Sequence, residues 1–194
     1  MVQLIFATNN AHKVEEIQAA IGDKIQVVSL KEAGIDIDIP EPHDTLAANA
    51  TEKSRTIQSL TGGNCFSEDT GLEVDALNGE PGVKSARYAG EDKAFDKNID
   101  KLLTKLGNTD QRTARFRTVI SLLWKGQEFL FEGICEGAII HERKGKQGFG
   151  YDPVFVPAGS TRTFAEMTME EKGAFSHRKK AADKLVSFLQ QQAV

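Results

Sequence analysis

The sequence predicts an α/β protein built around a mixed β-sheet. Short apolar segments typical of buried strands alternate with segments that carry an apolar residue every three to four positions, as amphipathic helices do. Two long segments rich in β-branched and aromatic residues, 114–124 and 128–140, flank Lys125-Gly126-Gln127 and predict an antiparallel hairpin. The alternation and the hairpin together indicate the α/β class with a mixed sheet.

The first part of the chain predicts one strand and two helices. Residues 2–7 are almost entirely apolar and predict a buried strand. Residues 12–21 predict a helix with three apolar residues on one stripe, and Gly22 ends it. A second helix is predicted for residues 44–61, directly before a pair of glycines.

An acidic stretch, SEDTGLEVD, lies between two β-prone segments. The upstream segment is Asn64-Cys65-Phe66, and residues 72–76 alternate between apolar and acidic side chains. We therefore predict a turn at Thr70-Gly71, with Glu68 and Asp69 at a strand end. Carboxylates held rigidly in this way suit a hard cation such as Mg²⁺, although a solvated acidic turn explains the same residues.

The last part of the chain predicts a helix at 92–106, a short strand at 154–156 and two closing helices. Thr168 and Glu171 form a capping box for the first of the closing helices, and Ser176 caps the second.

Composition limits the kinds of partner. The 194 residues, 40% hydrophobic and 27% charged, predict one domain, with or without two lobes. A net charge of -4 argues against a nucleic-acid polymer as partner. The apolar segment at 2–7 is too short for a signal peptide, and no segment predicts a membrane span, so we expect a cytoplasmic protein. Cys65 and Cys135 are predicted to be buried and reduced.

Three further motifs indicate a nucleotide ligand. Residues 8–13, TNNAHK, join a strand to a helix and predict an anion site, or merely a helix cap. Residues 147–153, QGFGYDP, alternate glycines with aromatic residues, which suits either base recognition or a glycine-bent core strand. Residues 176–180, SHRKK, place cations at a helix start, where the helix dipole favours anions. Solvation explains Lys179 and Lys180, but not His177 and Arg178.

These motifs, in this order, resemble the inosine triphosphate pyrophosphatase family. The matching segments are ATNNAHKVEEI, SEDTGLEVDALNGEPGVKSARYAG, GFGYDPVF and EEKGAFSHR, so the resemblance covers almost the whole chain. It implies a long central mixed sheet with two α/β lobes, a substrate cleft between them, a homodimer and dependence on Mg²⁺. The implied reaction is hydrolysis of ITP, dITP and XTP to the monophosphate and pyrophosphate.

The resemblance also implies residue roles. Asp69 matches the proton acceptor and metal carboxylate, and Glu41 and Glu68 are the other carboxylates available for metal, because Ala47 and Ala48 stand where relatives commonly carry glutamate. The implied substrate contacts are Thr8, Asn9, Asn10, Ala11, His12, Lys13, Thr70, Phe149, Gly150, Tyr151, Asp152, Lys172, His177 and Arg178.

In the mechanism that fits these roles, water attacks the α-phosphorus directly, while Lys13, Lys172 and the helix-start N–H groups hold the phosphates. Arg178 is expected to read the base. Two alternatives stay open at this point. The first is a nucleotide sensor without catalysis, and the second is a triphosphatase of similar fold with another cleavage site or base preference.

Overall fold

A computed structural model of the chain describes residues 2–23 and 25–192. Six strands form one sheet in the order β2-β1-β3-β4-β5-β6. β1 pairs in parallel with β2 and with β3, whereas β5 and β6 pair antiparallel, so the predicted mixed sheet is confirmed. The strands are β1 Val2–Phe6, β2 Ile25–Ser29, β3 Cys65–Val74, β4 Thr113–Trp124, β5 Gln127–Ile139 and β6 Phe155–Pro157.

Within the described residues, five α-helices connect or follow these strands. They are α1 Ala11–Ile21, α2 Leu46–Thr61, α3 Phe95–Leu106, α4 Met169–Gly173 and α5 His177–Gln192. Side chains cap the first turns of α1 and α2, where Asn10 accepts from the N–H of Lys13 and Thr45 accepts from the N–H of Ala48. The predicted capping box at Thr168 is also present. None of the helices in the described ranges combines the length and the apolar character needed to cross a bilayer.

The chain folds into two compact units. The first contains the described residues up to Asp69, residues 118–133 and the described residues from Arg178 on. Its core has two apolar clusters. One joins β1, α1 and α5 through residues such as Phe6, Ile17 and Leu185, and the other surrounds Ile57 of α2.

The second unit contains residues 70–117 and 134–177. Its core gathers the end of β3, α3 and the segment after β5 around a group of rings. Phe116 packs against Phe155 with centroids 4.6 Å apart and against Phe164 at 6.0 Å. Arg112 closes one end of this core, where its guanidinium donates to the carbonyl oxygens of Gly107 and Ile139.

The predicted turn within SEDTGLEVD is wrong, because β3 runs unbroken through it. The carboxylates of Glu68 and Asp69 lie beside buried cations, and Glu73 pairs with Arg117 at 2.9 Å. Paired charges no longer require solvent, so the strand continues where the composition alone favours a turn.

Smaller differences have local causes. Strand β2 was not predicted from the sequence, and its residues do not alternate strictly in burial, because the adjacent Val27 and Val28 are both buried. The hairpin turn has two residues rather than three, because Lys125 and Gly126 both take positive φ angles, 50° and 79°. Helix α3 begins at Phe95 rather than at residue 92, since Lys93 has a φ of 52°. Both cysteines are buried and free, as expected.

Candidate active site

The loop that joins β1 to α1 is ordered by its own polar side chains. Thr8 Oγ1 accepts from the N–H of Asn10, 3.1 Å away, and Asn10 Oδ1 accepts from the N–H of Lys13 at 3.3 Å. Asn9 Oδ1 accepts from the N–H of Lys31, which follows β2. The asparagines therefore cap and brace the helix start, and the predicted anion site there stays a prediction.

Lys13 forms an ion pair with a buried carboxylate of β3. Its Nζ lies 2.7 Å from Oε1 of Glu68, a side chain with no exposed surface. The other oxygen of Glu68 accepts from Nε of Arg178 at 2.8 Å. Burial alone would raise the pKa of Glu68, but Arg178 and Lys13 outweigh burial and hold that pKa well below its usual range. Glu68 is therefore ionised at neutral pH.

Arg178 has a second acidic partner, which the sequence did not reveal. Its Nη1 forms a very short contact with the carboxylate of Glu16 on α1. Arg178 is the largest fully buried side chain described, and it lies between two carboxylates of the first unit. This environment confirms that a solvated surface does not explain its position, and its role as a substrate contact stays a prediction.

A second buried cation, Lys53 of α2, lies among oxygen atoms. Its Nζ donates to Oε1 of Glu41 and to the backbone carbonyl oxygen of Glu68, both at 2.7 Å. The same atom lies 3.7 Å from Oδ1 of Asp69. Burial lowers the pKa of Lys53, but attraction to Asp69 and Glu41 outweighs it, and the pKa is raised. Three residues of the first unit thus place three oxygen atoms around the ammonium of Lys53.

The pKa of Asp69 is shifted in the opposite direction to that of Glu68. Burial raises the pKa of the Asp69 carboxyl to about 6, Lys53 acts in the opposite direction, and Glu41 adds to the rise. A carboxylate with a pKa near neutrality accepts a proton more readily than an exposed aspartate does. The environment of Asp69 therefore suits a general base.

Helix α2 positions both Lys53 and the loop that carries Glu41. The side chain of Asn49, fully buried, accepts from the N–H of His43 at 2.9 Å and donates to its carbonyl oxygen at 3.2 Å. Because residues four apart lie on one face of a helix, Asn49 and Lys53 point the same way. The first turn of α2 contains no acidic residue, as the alanines at positions 47 and 48 predict.

The second unit orders the predicted base-binding loop through Asp152. Its Oδ2 accepts from Lys172 Nζ at 2.7 Å and from the N–H of Phe149 at 3.1 Å. Gly148 has a φ of 72°, and a Cβ added there would lie 2.1 Å from Oδ2 of Asp152. Both facts require glycine at 148. Lys172 Nζ also lies 5.3 Å from the centroid of the Phe149 ring.

Two other rings predicted at the substrate, those of Tyr151 and His177, are buried. Tyr151 belongs to the apolar core of the second unit, and its hydroxyl donates to the carbonyl oxygen of Ser85 at 2.6 Å. His177 stacks on Phe116 with centroids 4.7 Å apart and planes 17° from parallel. Of the rings in this loop, the half-buried Phe149 therefore offers the better surface for stacking on a base.

The predicted residues thus form one group in each unit. The first contains Lys13, Glu41, Glu68, Asp69 and Arg178, and the second contains residues 149–152, Lys172 and His177. Reasoning from the sequence missed Glu16 and Lys53. One signal was present for Glu16, which lies three residues after the predicted contact Lys13 and therefore on the same face of α1.

The comparisons with known proteins cover nearly the whole chain. A sequence model of the Ham1 family matches residues 4–188. A dITP/XTP pyrophosphatase of Porphyromonas gingivalis is 50% identical, over 97% of this chain and 98% of the relative. A dITP/XTP pyrophosphatase of Flavobacterium johnsoniae is 46% identical, again over 97% and 98%.

A solved structure agrees with the sequence matches. The Staphylococcus aureus Ham1 protein is 39% identical and superimposes with a TM-score of 0.88, covering 98% of this chain and 99% of its own. Identity at this level across both full lengths accompanies a common fold. The chain therefore belongs to the Ham1 family.

Proposed function

We propose that this protein hydrolyses non-canonical purine nucleoside triphosphates, namely ITP, dITP and XTP, to the nucleoside monophosphate and pyrophosphate. The relatives named dITP/XTP pyrophosphatase, at 46% and 50% identity over nearly the full length, support the substrate class. One observation carries the proposal. Oxygen atoms of Glu41, Glu68 and Asp69 surround the ammonium of Lys53, and the ammonium of Lys13 binds the Glu68 carboxylate nearby. Hydrolysis of these triphosphates would remove them from the nucleotide pool.

The oxygen atoms around Lys53 suit a divalent cation such as Mg²⁺. Among the described residues, no three His, Cys, Asp or Glu side chains converge as a metal site by themselves. Two carboxylates, those of Glu41 and Asp69, do converge with the carbonyl oxygen of Glu68 on a lysine ammonium, and hard cations prefer such oxygen ligands. We therefore assign Mg²⁺ to Glu41 and Asp69, with Glu68 contributing its carbonyl oxygen rather than its carboxylate. Bound there, Mg²⁺ would neutralise charge on the phosphate oxygens.

The residues of the first unit then divide the chemistry. Asp69 accepts the proton of the water that attacks the α-phosphorus. Lys13 uses one of the three donors of its ammonium on Glu68, which leaves two for phosphate oxygens. The loop at residues 8–10 and the first residues of α1 add N–H groups and the positive end of the helix dipole. Because Asp152 binds the ammonium of Lys172, we assign Lys172 to the base loop rather than to the phosphates.

The second unit supplies base recognition in this proposal. Phe149 stacks on the purine, and Gly150 lets the backbone approach it closely. Hypoxanthine and xanthine carry an acceptor at O6 where adenine carries a donor, so fixed N–H donors at the start of α5 and on His177 favour the former. We expect a strong preference for ITP over ATP. Thr70, which follows Asp69 in β3, is a further proposed substrate contact. The homodimer and the cytoplasmic location stay predictions.

The decisive experiment identifies the products. Incubation of the protein with ITP and Mg²⁺, followed by chromatography, is expected to yield IMP and pyrophosphate. IDP with phosphate would instead indicate a triphosphatase, and binding without turnover would indicate a sensor. Either result would contradict the proposal.

The pH dependence should report the environment of Asp69. Because Asp69 must be ionised to accept a proton, kcat/KM for ITP is expected to rise with pH and level off above an apparent pKa at or below about 6. The charge of Lys53 lowers the pKa of Asp69, so removing that charge should move the rising part of the pH profile to higher pH. The charge of Glu41 raises the pKa of Asp69, so removing that charge should move the rising part of the profile to lower pH. The measurement is kcat/KM for ITP from pH 4.5 to 8 in Lys53→Gln and Glu41→Gln. Profiles that shift in the same direction in both variants would contradict the assignment.

A further inference from the structure

The structure assigns a positioning role to Glu16, which acts through Arg178 and Glu68 on Lys13. The four side chains form one chain of contacts within the first unit. Glu16 contacts Nη1 of Arg178, Nε of Arg178 lies 2.8 Å from Glu68 Oε2, and Glu68 Oε1 lies 2.7 Å from Lys13 Nζ. The inference rests on the proposed function, in which Lys13 binds phosphate.

Burial makes this chain of contacts rigid. The side chains of Glu68 and Arg178 are 0% and 2% exposed, that of Glu16 is 11% exposed and that of Lys13 is 19% exposed. Charges alternate along it, so each inner member has a counter-charge on both sides. Buried charges in this arrangement hold their geometry because any displacement leaves one of them unpaired. Lys13 is the most exposed of the four side chains, so a ligand can reach its ammonium.

The contacts explain why Glu16 matters for Lys13. Arg178 is shared between two carboxylates, and removing one of them lets its guanidinium bind Glu68 more completely. The oxygen of Glu68 that faces Lys13 would then turn toward Arg178, since its Nη2 already lies 3.3 Å from that same oxygen. Lys13 would lose the partner that fixes its ammonium, and small displacements of a binding group cost affinity.

The adjacent residue provides a matched control. Glu15 lies on the same helix and carries the same charge, but its side chain is exposed. Glu15→Gln and Glu16→Gln therefore change the net charge equally and differ in whether the change reaches Arg178. We expect pyrophosphate binding, measured by calorimetry with Mg²⁺ present, to weaken about tenfold in Glu16→Gln and by less than about twofold in Glu15→Gln.

A double-mutant cycle separates positioning from a general loss of structure. If Glu16 acts through Lys13, then Glu16→Gln should weaken pyrophosphate binding little further in a Lys13→Ala protein. Thermal unfolding shows whether each variant folds. If Glu16→Gln is unstable, Glu16→Asp provides the second variant, and because it keeps the charge it should retain most of the pyrophosphate binding.

Several outcomes would overturn the inference. Equal effects of the two glutamine variants, additive effects with Lys13→Ala, or tighter pyrophosphate binding in Glu16→Gln would each show that Glu16 contributes only charge. Absence of pyrophosphate binding in the parent protein would also overturn the inference, because Lys13 would then bind no phosphate. Because calorimetry needs no turnover, a parent protein that binds pyrophosphate but releases none from ITP contradicts the proposed function alone.

Discussion

The Asp69→Asn protein is expected to lose at least about a hundredfold in kcat for ITP, the usual scale for loss of a general base. Asparagine has nearly the same shape, but it neither accepts the proton of water nor carries the charge that binds metal. The measurement is the release of pyrophosphate in saturating ITP and Mg²⁺. Turnover near the parent rate would remove Asp69 from the catalytic role.

The same substitution should stabilise the fold when no metal is present. The folded-state pKa of Asp69, about 6, lies above its ordinary value of 3.8, so the folded state binds this proton more tightly than the unfolded chain does. The stability gained from that proton is present below about pH 4 and is lost as the pH rises through about 6. Relative to the parent, Asp69→Asn should therefore gain stability from pH 4 to pH 7, on the order of 2 kcal/mol.

Thermal unfolding in a chelating buffer at several pH values checks this expectation. A Tm difference that stays constant from pH 4 to pH 7 would contradict the raised pKa. A Tm difference that increases with pH, together with the kinetic result, would show that the buried charge of Asp69 destabilises the fold and is needed for activity.

Loss of Arg178 is expected to have the second largest effect. Arg178→Ala leaves the buried carboxylate of Glu68 and that of Glu16 without their arginine contact, and breaking a buried ion pair costs roughly 3–5 kcal/mol. Lys179→Ala on the same helix removes the same charge from a partly exposed pair with Asp183, so we expect a cost below about 1 kcal/mol there. Denaturant unfolding of the two variants measures the difference.

Arg178→Ala also decides between two roles for this residue. If Arg178 supports Lys13 through Glu68, as its contacts favour, then kcat/KM should fall by similar factors for ITP and for ATP. If it reads the base, as the family resemblance implies, then the ratio of the two values should collapse, because a lost hydrogen-bond donor removes discrimination. Measuring both nucleotides in the variants Arg178→Ala and Phe149→Leu separates the roles, since stacking alone discriminates little.

The sequence alone determined the fold class and most of the helices and strands, and it predicted candidate site residues. Periodicity placed β1, α1, α2 and the hairpin within a few residues, because each depends on local spacing of apolar side chains. The order of the motifs identified the family and the acidic, basic and glycine-aromatic groups. The acids at Glu68 and Asp69 were visible because such a concentration of charge is unusual beside a buried strand.

Only the tertiary structure decided which charges meet. The continuity of β3 depends on cations from α1, α2 and α5, which are distant in sequence, so local composition wrongly favoured a turn. Lys53 and Glu16 gained their significance in the same way. A charged residue on a helix is ordinary until folding buries it against a partner, and the distances that set the pKa of Asp69 and the contacts of Arg178 exist only once the units of the chain are folded.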